Sequence, residues 1–262
     1  MTPMVVMSGG GIKGAVAAGR YAKDHDLLLL HVNYGQASAA REISALESLV
    51  QTFPSANVLR ITLPHFIQLQ HSPTEAAQPG TRGATGTPRR EVASTASPAV
   101  LRGLMPMVLS VGVQGALRAG SPAVAVGLLR TGDATHLGLV GLEAATDQRR
   151  EFLHAFNIMM ETVLRPRALV KLEAPLIELT YAEVIQLAAR FRVPLEKTWT
   201  CDGIGPQPCG QCGPCKARSR AFAEAALVDP ATAAQASGPS LLPANRAPVT
   251  PGQPVTPGQS AS

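Results

Sequence analysis

Aromatic residues make up only 4% of the 262-residue chain, with a single tryptophan, and its four cysteines all fall between positions 201 and 215. A remainder without cysteine argues against a secreted scaffold stapled by disulfides, which would spread its bridges along the chain. No apolar run approaches the 18 or so residues that a membrane-spanning helix requires, so no membrane partner is expected. The longest aliphatic cluster near the start, residues 27–32, is strand-sized and holds His31. The opening MTPMVVMSGG lacks the charged and apolar regions of a signal peptide, and a cytoplasmic location is expected. A basic stretch interleaved with aromatics is also missing. The net charge of +5 is diffuse, with Arg82, Arg89 and Arg90 in one place, Arg149 and Arg150 in another, and Lys216, Arg218 and Arg220 in a third. It reads as solubility and attraction for anionic small molecules, with nucleic-acid binding the lesser option.

What is present is a regular alternation. Residues 4–7, 27–32 and 58–63 are short apolar runs of the kind expected for strands covered on both faces. Helical spacing separates them over 15–23 and 37–53. In the second of these Ile43, Leu46, Leu49 and Val50 form the apolar face, and Glu42 and Glu47 are expected to be exposed. This order predicts a parallel sheet with crossover helices. A Gly-interrupted helix over 100–118, a strand over 124–128, an amphipathic helix over 147–164 and a strand over 170–174 continue it. Thr180, followed three residues later by Glu183, predicts a capping box opening a helix that runs to Phe191. Between them, residues 64–98 form a long Thr-, Gly-, Pro- and Arg-rich loop, and loops of that length are functional or disordered. Residues 229–262, with PVTPGQ twice in tandem, read as a disordered tail because they cannot bury enough apolar surface to offset their ordering entropy. The expected domains are residues 1–195, an α/β unit, and 196–228, a small metal-binding segment.

The cysteines Cys201, Cys209, Cys212 and Cys215 are spaced C-x7-C-G-x-C-x2-C. Four thiolates at short spacing suit a tetrahedral zinc ion, and the intervening Gly and Pro let the backbone turn so that the sulfurs converge. The following cations, Lys216, Arg218 and Arg220, are expected to favour the thiolates. Two disulfides, or four unrelated buried cysteines, are the alternatives. Four sulfur ligands leave no open position, so such a zinc site is structural.

Near the N-terminus a strand runs into Ser8-Gly9-Gly10-Gly11-Ile12-Lys13-Gly14 and then a helix. Glycines let backbone N–H groups converge on a phosphate, the helix N-terminus adds its dipole, and Lys13 adds a charge. The same SGGGIKG resembles the oxyanion loop of patatin-like hydrolases. No G-x-S-x-G elbow accompanies it, and the nearest serine, Ser121, is followed by Pro122, which has no N–H.

Taken together, SGGGIKG, Tyr34-Gly35-Gln36, the APLIELT segment, DQRREF from Asp147 and WTCDGIGPQPCGQCGPCKAR resemble the 7-cyano-7-deazaguanine synthase family of PP-loop ATPases. The resemblance implies an adenine nucleotide α-hydrolase-like (Rossmann-like) parallel sheet flanked by helices, with a small C-terminal zinc-binding subdomain. It implies ATP-dependent conversion of 7-carboxy-7-deazaguanine and ammonia to the 7-cyano compound preQ0, a queuosine precursor. By the same resemblance Ser8, Gly9, Gly10, Gly11 and Lys13 would meet ATP, and Tyr34, Gln36, Asp147 and Arg149 the deazapurine. It further implies one structural Zn²⁺ per chain, Mg²⁺ with the ATP, and a homodimer. The family's S-G-G-x-D-S differs here, since Ile12 and Lys13 stand where its Asp and second Ser do. Gln148 stands for the cysteine of its D-C-R-x-E-F stretch. These departures keep open a diverged relative that binds nucleotide or deazapurine without the full reaction, or serves as a subunit of another modification system. A tRNA-thiolating enzyme is the third option, but a catalytic cysteine outside the cluster is lacking.

Overall fold

The computed structural model of the chain describes residues 1–63, 103–130, 149–166 and 168–231. Within them a parallel sheet is built from β1 (Thr2–Met7), β2 (His25–Asn33), β3 (Ala56–Thr62), β4 (Ala123–Val126) and β5 (Lys171–Glu173), in the order β3-β2-β1-β4-β5. Its helices are α1 (Ile12–Tyr21), α2 (Ala39–Val50), α3 (Leu104–Ala119), α4 (Arg150–Leu164), α5 (Tyr181–Arg190) and α6 (Gly213–Glu224). The central strand β1 pairs on one side with β2, Val5 opposite Leu28, and on the other with β4, Val5 opposite Val124. The order reverses there, and in parallel sheets ligands settle beyond the strands' C-terminal ends at such a reversal.

Strand alternation sorts the core into two layers. Met4, Val6, Leu27, Leu29 and Ala125 face α1, α2, α5 and α6, meeting Ile12, Val16, Leu46, Leu49, Val184, Ile185 and Phe222. Val5, Met7, Leu30, Val32 and Val126 face the other way, onto Leu109 and Val113 of α3 and Phe156 of α4. The glycines that interrupt α3 have a packing reason. A β-carbon at Gly112 would lie 2.7 Å from Met7 Sδ, and one at Gly115 would lie 2.5 Å from Leu30 Cδ1, so the helix backbone rests directly on the sheet.

Several boundaries differ from those expected. Helix α1 starts at Ile12 rather than at residue 15, because Ile12 is fully buried and belongs to the core stripe. The expected starts of α3 and α4, and the long loop over 64–98, lie outside the described residues. The capping box on α5 is present: Thr180 Oγ1 accepts from Glu183 N at 3.2 Å, and Glu183 Oε2 accepts from Thr180 N at 2.7 Å. Among the described residues, no helix is long and apolar enough to cross a membrane.

Candidate functional site

At the C-terminal end of β1 the chain enters the glycine turn. Ser8 N still donates to Leu30 O at 3.0 Å, extending the ladder by one residue, and Gly10 N then donates to Ser8 Oγ at 3.3 Å. Gly10 has φ of +72°, and a β-carbon there would lie 2.6 Å from the Glu42 carbonyl oxygen, so the turn is wedged against α2. Gly11 caps α1, whose second residue is Lys13. A β-carbon on Gly127, just after β4, would meet the Lys13 carbonyl carbon at 2.7 Å, so the first turn of α1 is held against the end of that strand.

A cavity of about 370 Å³ opens over this turn, lined by Ser8, Gly9, Gly11, Lys13, Tyr34 and Gln36 among others. The structure therefore brings together residues far apart in the chain that were singled out as ATP- and substrate-binding candidates. Gly10 turns away from the cavity to meet α2. Arg149, at the N-cap of α4, is exposed and does not line the cavity, and Asp147 lies outside the described residues.

The residue that spacing misplaced is Glu42. Expected on the exposed face of α2, its side chain is only 17% exposed and is the hub of the cavity's polar wall. Glu42 Oε2 accepts from His31 Nε2 and from Gln36 Nε2, both at 2.9 Å, and Oε1 accepts from Ser38 Oγ at 2.5 Å. Gln36 also accepts from Tyr34 N at 2.9 Å and donates to Val32 O at 3.2 Å, so the Tyr34-Gly35-Gln36 corner is fixed from both sides. His31 is 1% exposed and lines the cavity. A signal was available: positions 42, 46 and 49 lie on one helical stripe, and an acid on a core-facing stripe needs buried donors.

Charge in the cavity is unevenly compensated. Lys13 is partly buried, makes no salt bridge among the described residues, and has its ammonium lowered to about 8 by desolvation. The Tyr34 hydroxyl is raised well above the ordinary phenol value, first by burial and then by the nearby Glu42 and Asp202 carboxylates.

The far wall of the cavity is the cysteine-bearing segment, which contributes Trp199, Thr200, Asp202 and Pro214. Trp199 N donates to Gly10 O at 2.9 Å, its ring lies 5.9 Å from the Arg41 guanidinium, and its Nε1 donates to Cys201 O at 2.7 Å. One residue thus joins the glycine turn to the first cysteine. The Sγ atoms of Cys201, Cys209, Cys212 and Cys215 all lie within 4.8 Å of one another, with Cys201 and Cys212 at 3.9 Å. A tetrahedron of roughly 2.3 Å metal–sulfur bonds has edges near 3.8 Å, so the four sulfurs fit a single metal ion. Backbone N–H groups of Gln211 and Cys212 lower the Cys209 thiol to about 6, whereas burial pushes those of Cys212 and Cys215 up.

The cations after the cluster act differently from the expectation. Arg218 is buried and forks onto Asp229, with Nε to Oδ2 at 2.6 Å and Nη2 to Oδ1 at 2.8 Å. Its Nη1 donates to Thr198 Oγ1 at 2.8 Å. Arg220 pairs with Glu224 one helical turn on. Arg218 gives its fork to the Asp229 carboxylate, whose two oxygens match a guanidinium better than a sulfur does, and its remaining donors to Thr198 and to Leu195 O. Asp229, placed in the tail by composition, is thus tied into the fold.

Comparison with known proteins agrees with this arrangement. The family model described as queuosine biosynthesis protein QueC matches residues 2–226. The chain belongs to this family. Similar proteins include the 7-cyano-7-deazaguanine synthases of Nitratiruptor sp., 26% identical over 86% of this chain and 96% of that one, and of Methanothrix thermoacetophila, 28% identical over the same shares. The synthase of Brucella canis is 29% identical over 86% of this chain and 91% of its own. Among solved structures, the U34-tRNA thiolase NcsA from Methanococcus maripaludis with its [4Fe-4S] cluster aligns over 85% of this chain and 65% of that one. Its identity is 14% and its TM-score 0.42, which is too distant to bear on function. Residues 2–226 take in both the glycine turn and the cysteine cluster, so the QueC match covers every wall of the cavity that the described residues form.

Proposed function

We propose that the chain is a 7-cyano-7-deazaguanine synthase, making preQ0 from 7-carboxy-7-deazaguanine, ammonia and ATP. The observation that carries this reading is the family match over residues 2–226 together with a cavity enclosed by the glycine turn, the Tyr34–Gln36 corner and the cysteine segment. A carboxylate is a poor electrophile. Its oxygen attacks the α-phosphorus of ATP, pyrophosphate leaves, and ammonia then displaces AMP from the acyl carbon to give an amide. A second ATP activates the amide oxygen in the same way, and loss of AMP and protons leaves the nitrile.

In such a sequence the turn at Ser8, Gly9, Gly10 and Gly11 holds the phosphate chain through its backbone, and Lys13 supplies positive charge toward it. Tyr34 and Gln36 face the deazapurine, kept in place by Glu42 and His31. Arg149 and Asp147 belong to this reading through the family's substrate stretch. Mg²⁺ accompanies the ATP and neutralises phosphate charge. The four cysteines hold zinc, whose contribution is to fix the segment that walls the cavity. A homodimer working in the cytoplasm completes the reading, on the resemblance alone.

A second reading is favoured by one observation: the turn carries Ile12 and Lys13 in place of an acid and a hydroxyl. On it the chain binds nucleotide or deazapurine and completes no reaction. Purified protein incubated with ATP, Mg²⁺, ammonium and 7-carboxy-7-deazaguanine separates the two. AMP, pyrophosphate and the 7-cyano product, detected together by mass spectrometry, support the synthase, and binding without turnover supports the second reading. Elemental analysis giving one zinc per chain and no iron supports the metal assignment.

A further inference from the structure

Buried polar atoms in folded proteins almost always have a hydrogen-bond partner, so each one that lacks a partner calls for an explanation. Among the described residues three side-chain atoms are buried without one: His25 Nδ1, His31 Nδ1 and Thr200 Oγ1. Two of these, on His31 and Thr200, belong to residues that line the cavity. The His31 ring is already tied to Glu42 through its other nitrogen, whereas the hydroxyl is the only polar group that the Thr200 side chain has. We infer that the Thr200 hydroxyl donates to a phosphate oxygen of an anion held at the start of α1, so that the cysteine segment supplies a binding group as well as a wall. This rests on the phosphate-binding part of the function proposed above and deepens it by naming a residue outside the glycine turn.

Three features place and prepare that hydroxyl. First, its segment lies against the N-cap of α1: a β-carbon on Gly11 would be 3.3 Å from Trp199 O and 3.8 Å from Thr200 Cγ2. Oγ1 and Cγ2 share one carbon, so the hydroxyl is within one rotamer of the helix start. Second, that helix start is open. Gly11 gives no side-chain cap, the first turn holds no acid, and Ser8 and Lys13 line the cavity beside it. The first N–H groups of a helix have no partner within it, so an anion can settle there. Third, the backbone of Thr200 is fixed from both sides. Trp199 N donates to Gly10 O at 2.9 Å, Thr198 Oγ1 donates to Leu195 O at 2.6 Å, and Cys201 is buried in the cysteine cluster. Only the side-chain torsion then remains to be set when a ligand arrives, which keeps the ordering cost small. Glu42 and Asp202 put carboxylates on the same cavity wall, so the phosphates are expected there together with Mg²⁺, and the test includes it.

The test is calorimetric titration of the full-length protein, purified with its metal, with pyrophosphate and with ATP, each in Mg²⁺ and without deazapurine or ammonium. Thr200→Val replaces the hydroxyl by a methyl of similar size and is expected to weaken both ligands by about tenfold to a hundredfold. Thr200→Ser, which keeps the hydroxyl, is expected to stay within about threefold of wild type. A hydroxyl with a purely structural role would show in the ligand-free protein. There Thr200→Val is expected to melt no lower than wild type and to keep its metal content, because a buried hydroxyl without a partner adds no stability that a methyl lacks. The inference is overturned if Thr200→Val binds both ligands within about threefold of wild type, the result expected if a trapped water meets the hydroxyl. It is also overturned if Thr200→Ser is as weak as Thr200→Val, or if ligand-free Thr200→Val melts below wild type. A loss for ATP but not for pyrophosphate would place the hydroxyl on another part of the nucleotide and overturn it too, as would wild type that binds neither. Product formation is scored separately. Thr200-dependent pyrophosphate binding without the 7-cyano product would leave this inference standing and remove the synthase reading. Full turnover with unchanged binding by Thr200→Val would do the reverse.

Discussion

Replacing Gly10 by alanine puts the geometry of the turn under direct test. Two separate costs meet at that position. The left-handed φ of +72° disfavours any side chain, at about 1–2 kcal/mol. The new methyl would also sit 2.6 Å from the Glu42 carbonyl oxygen, 3.0 Å from Ala45 Cβ and 3.3 Å from Leu46 N, two of which are helix backbone that cannot rotate aside. Forcing extra volume into a packed contact costs about 1–3 kcal/mol more. Gly120, which ends α3, is the control: its φ is +66° and nothing lies within 4 Å of its β-carbon position, so Gly120→Ala carries the conformational cost alone. Urea denaturation of both variants should place Gly10→Ala lower by about 1–3 kcal/mol. Because the strain falls on the turn itself, nucleotide affinity should drop in Gly10→Ala and stay at the wild-type value in Gly120→Ala. Equal denaturation midpoints for the two would refute the picture of a turn wedged against α2.

Glu42→Ala should lower stability by about 1–3 kcal/mol in urea denaturation, since it strands buried donors on His31, Gln36 and Ser38. Removing either partner of the Arg218–Asp229 pair, whose side chains are 6% and 9% exposed, should cost about 3–5 kcal/mol. A chain ending at residue 228 should show the same loss and one ending at residue 240 should not, by thermal melting. Lys13 is lowered in the folded state from 10.5 to about 8, so the unfolded chain binds more protons between those values and stability rises with pH across that window. That rise, about 3 kcal/mol at most, should be missing from the denaturation curves of Lys13→Met, which should also be the more stable protein at pH 7. Chelation of the metal should shift the emission of Trp199, the sole tryptophan, and weaken nucleotide binding, because this residue bonds both Gly10 and Cys201; an unchanged nucleotide affinity in metal-free, folded protein would contradict that link.

The sheet was legible because its inner strands β1, β2 and β4 carry runs of apolar residues, whereas β3 and β5 at its edges are partly polar and exposed. Leu27 to Val32 reads as a strand by its short length and the turn residues Asn33 and Gly35 that follow it, and the Thr180–Glu183 box marks a helix start by its own chemistry. The four cysteines announce their convergence by spacing. Other features were hidden because they depend on what a side chain meets across the fold. Glu42 looks like an ordinary solvated helix acid until the Tyr34–Gln36 corner closes on it. Arg218 looks like one of three cations serving the thiolates, yet its partner is Asp229, which local composition assigns to a tail. In both cases the distant partner decides the role; the stripe of positions 42, 46 and 49 marks Glu42 as an acid in need of donors but does not say which donors meet it. Trp199 reaches Cys201 through its indole N–H but Gly10 through its backbone N–H, a bond that does not depend on the side chain, so its identity carried no signal of the contact with Gly10.

Ile12 and Lys13 have different surroundings, the first buried in the core and the second on the cavity wall. An acid at position 12 would sit where the chain is fully buried, and although a helix start favours negative charge, a buried carboxylate would still need donors or a cation to meet it. With isoleucine there, the first turn of α1 is anchored by packing into the core, and that demand for a cation disappears. Neighbouring positions of a helix do not face each other, so Lys13 lines the cavity while Ile12 fills the core. Ser8, Gly9 and Lys13 all line the cavity, and the helix start adds its own positive end there. Loss of an acid by itself leaves a helix start no less favourable to an anion, so the isoleucine alone does not separate a working site from a lapsed one; whether Lys13→Met weakens anion binding does.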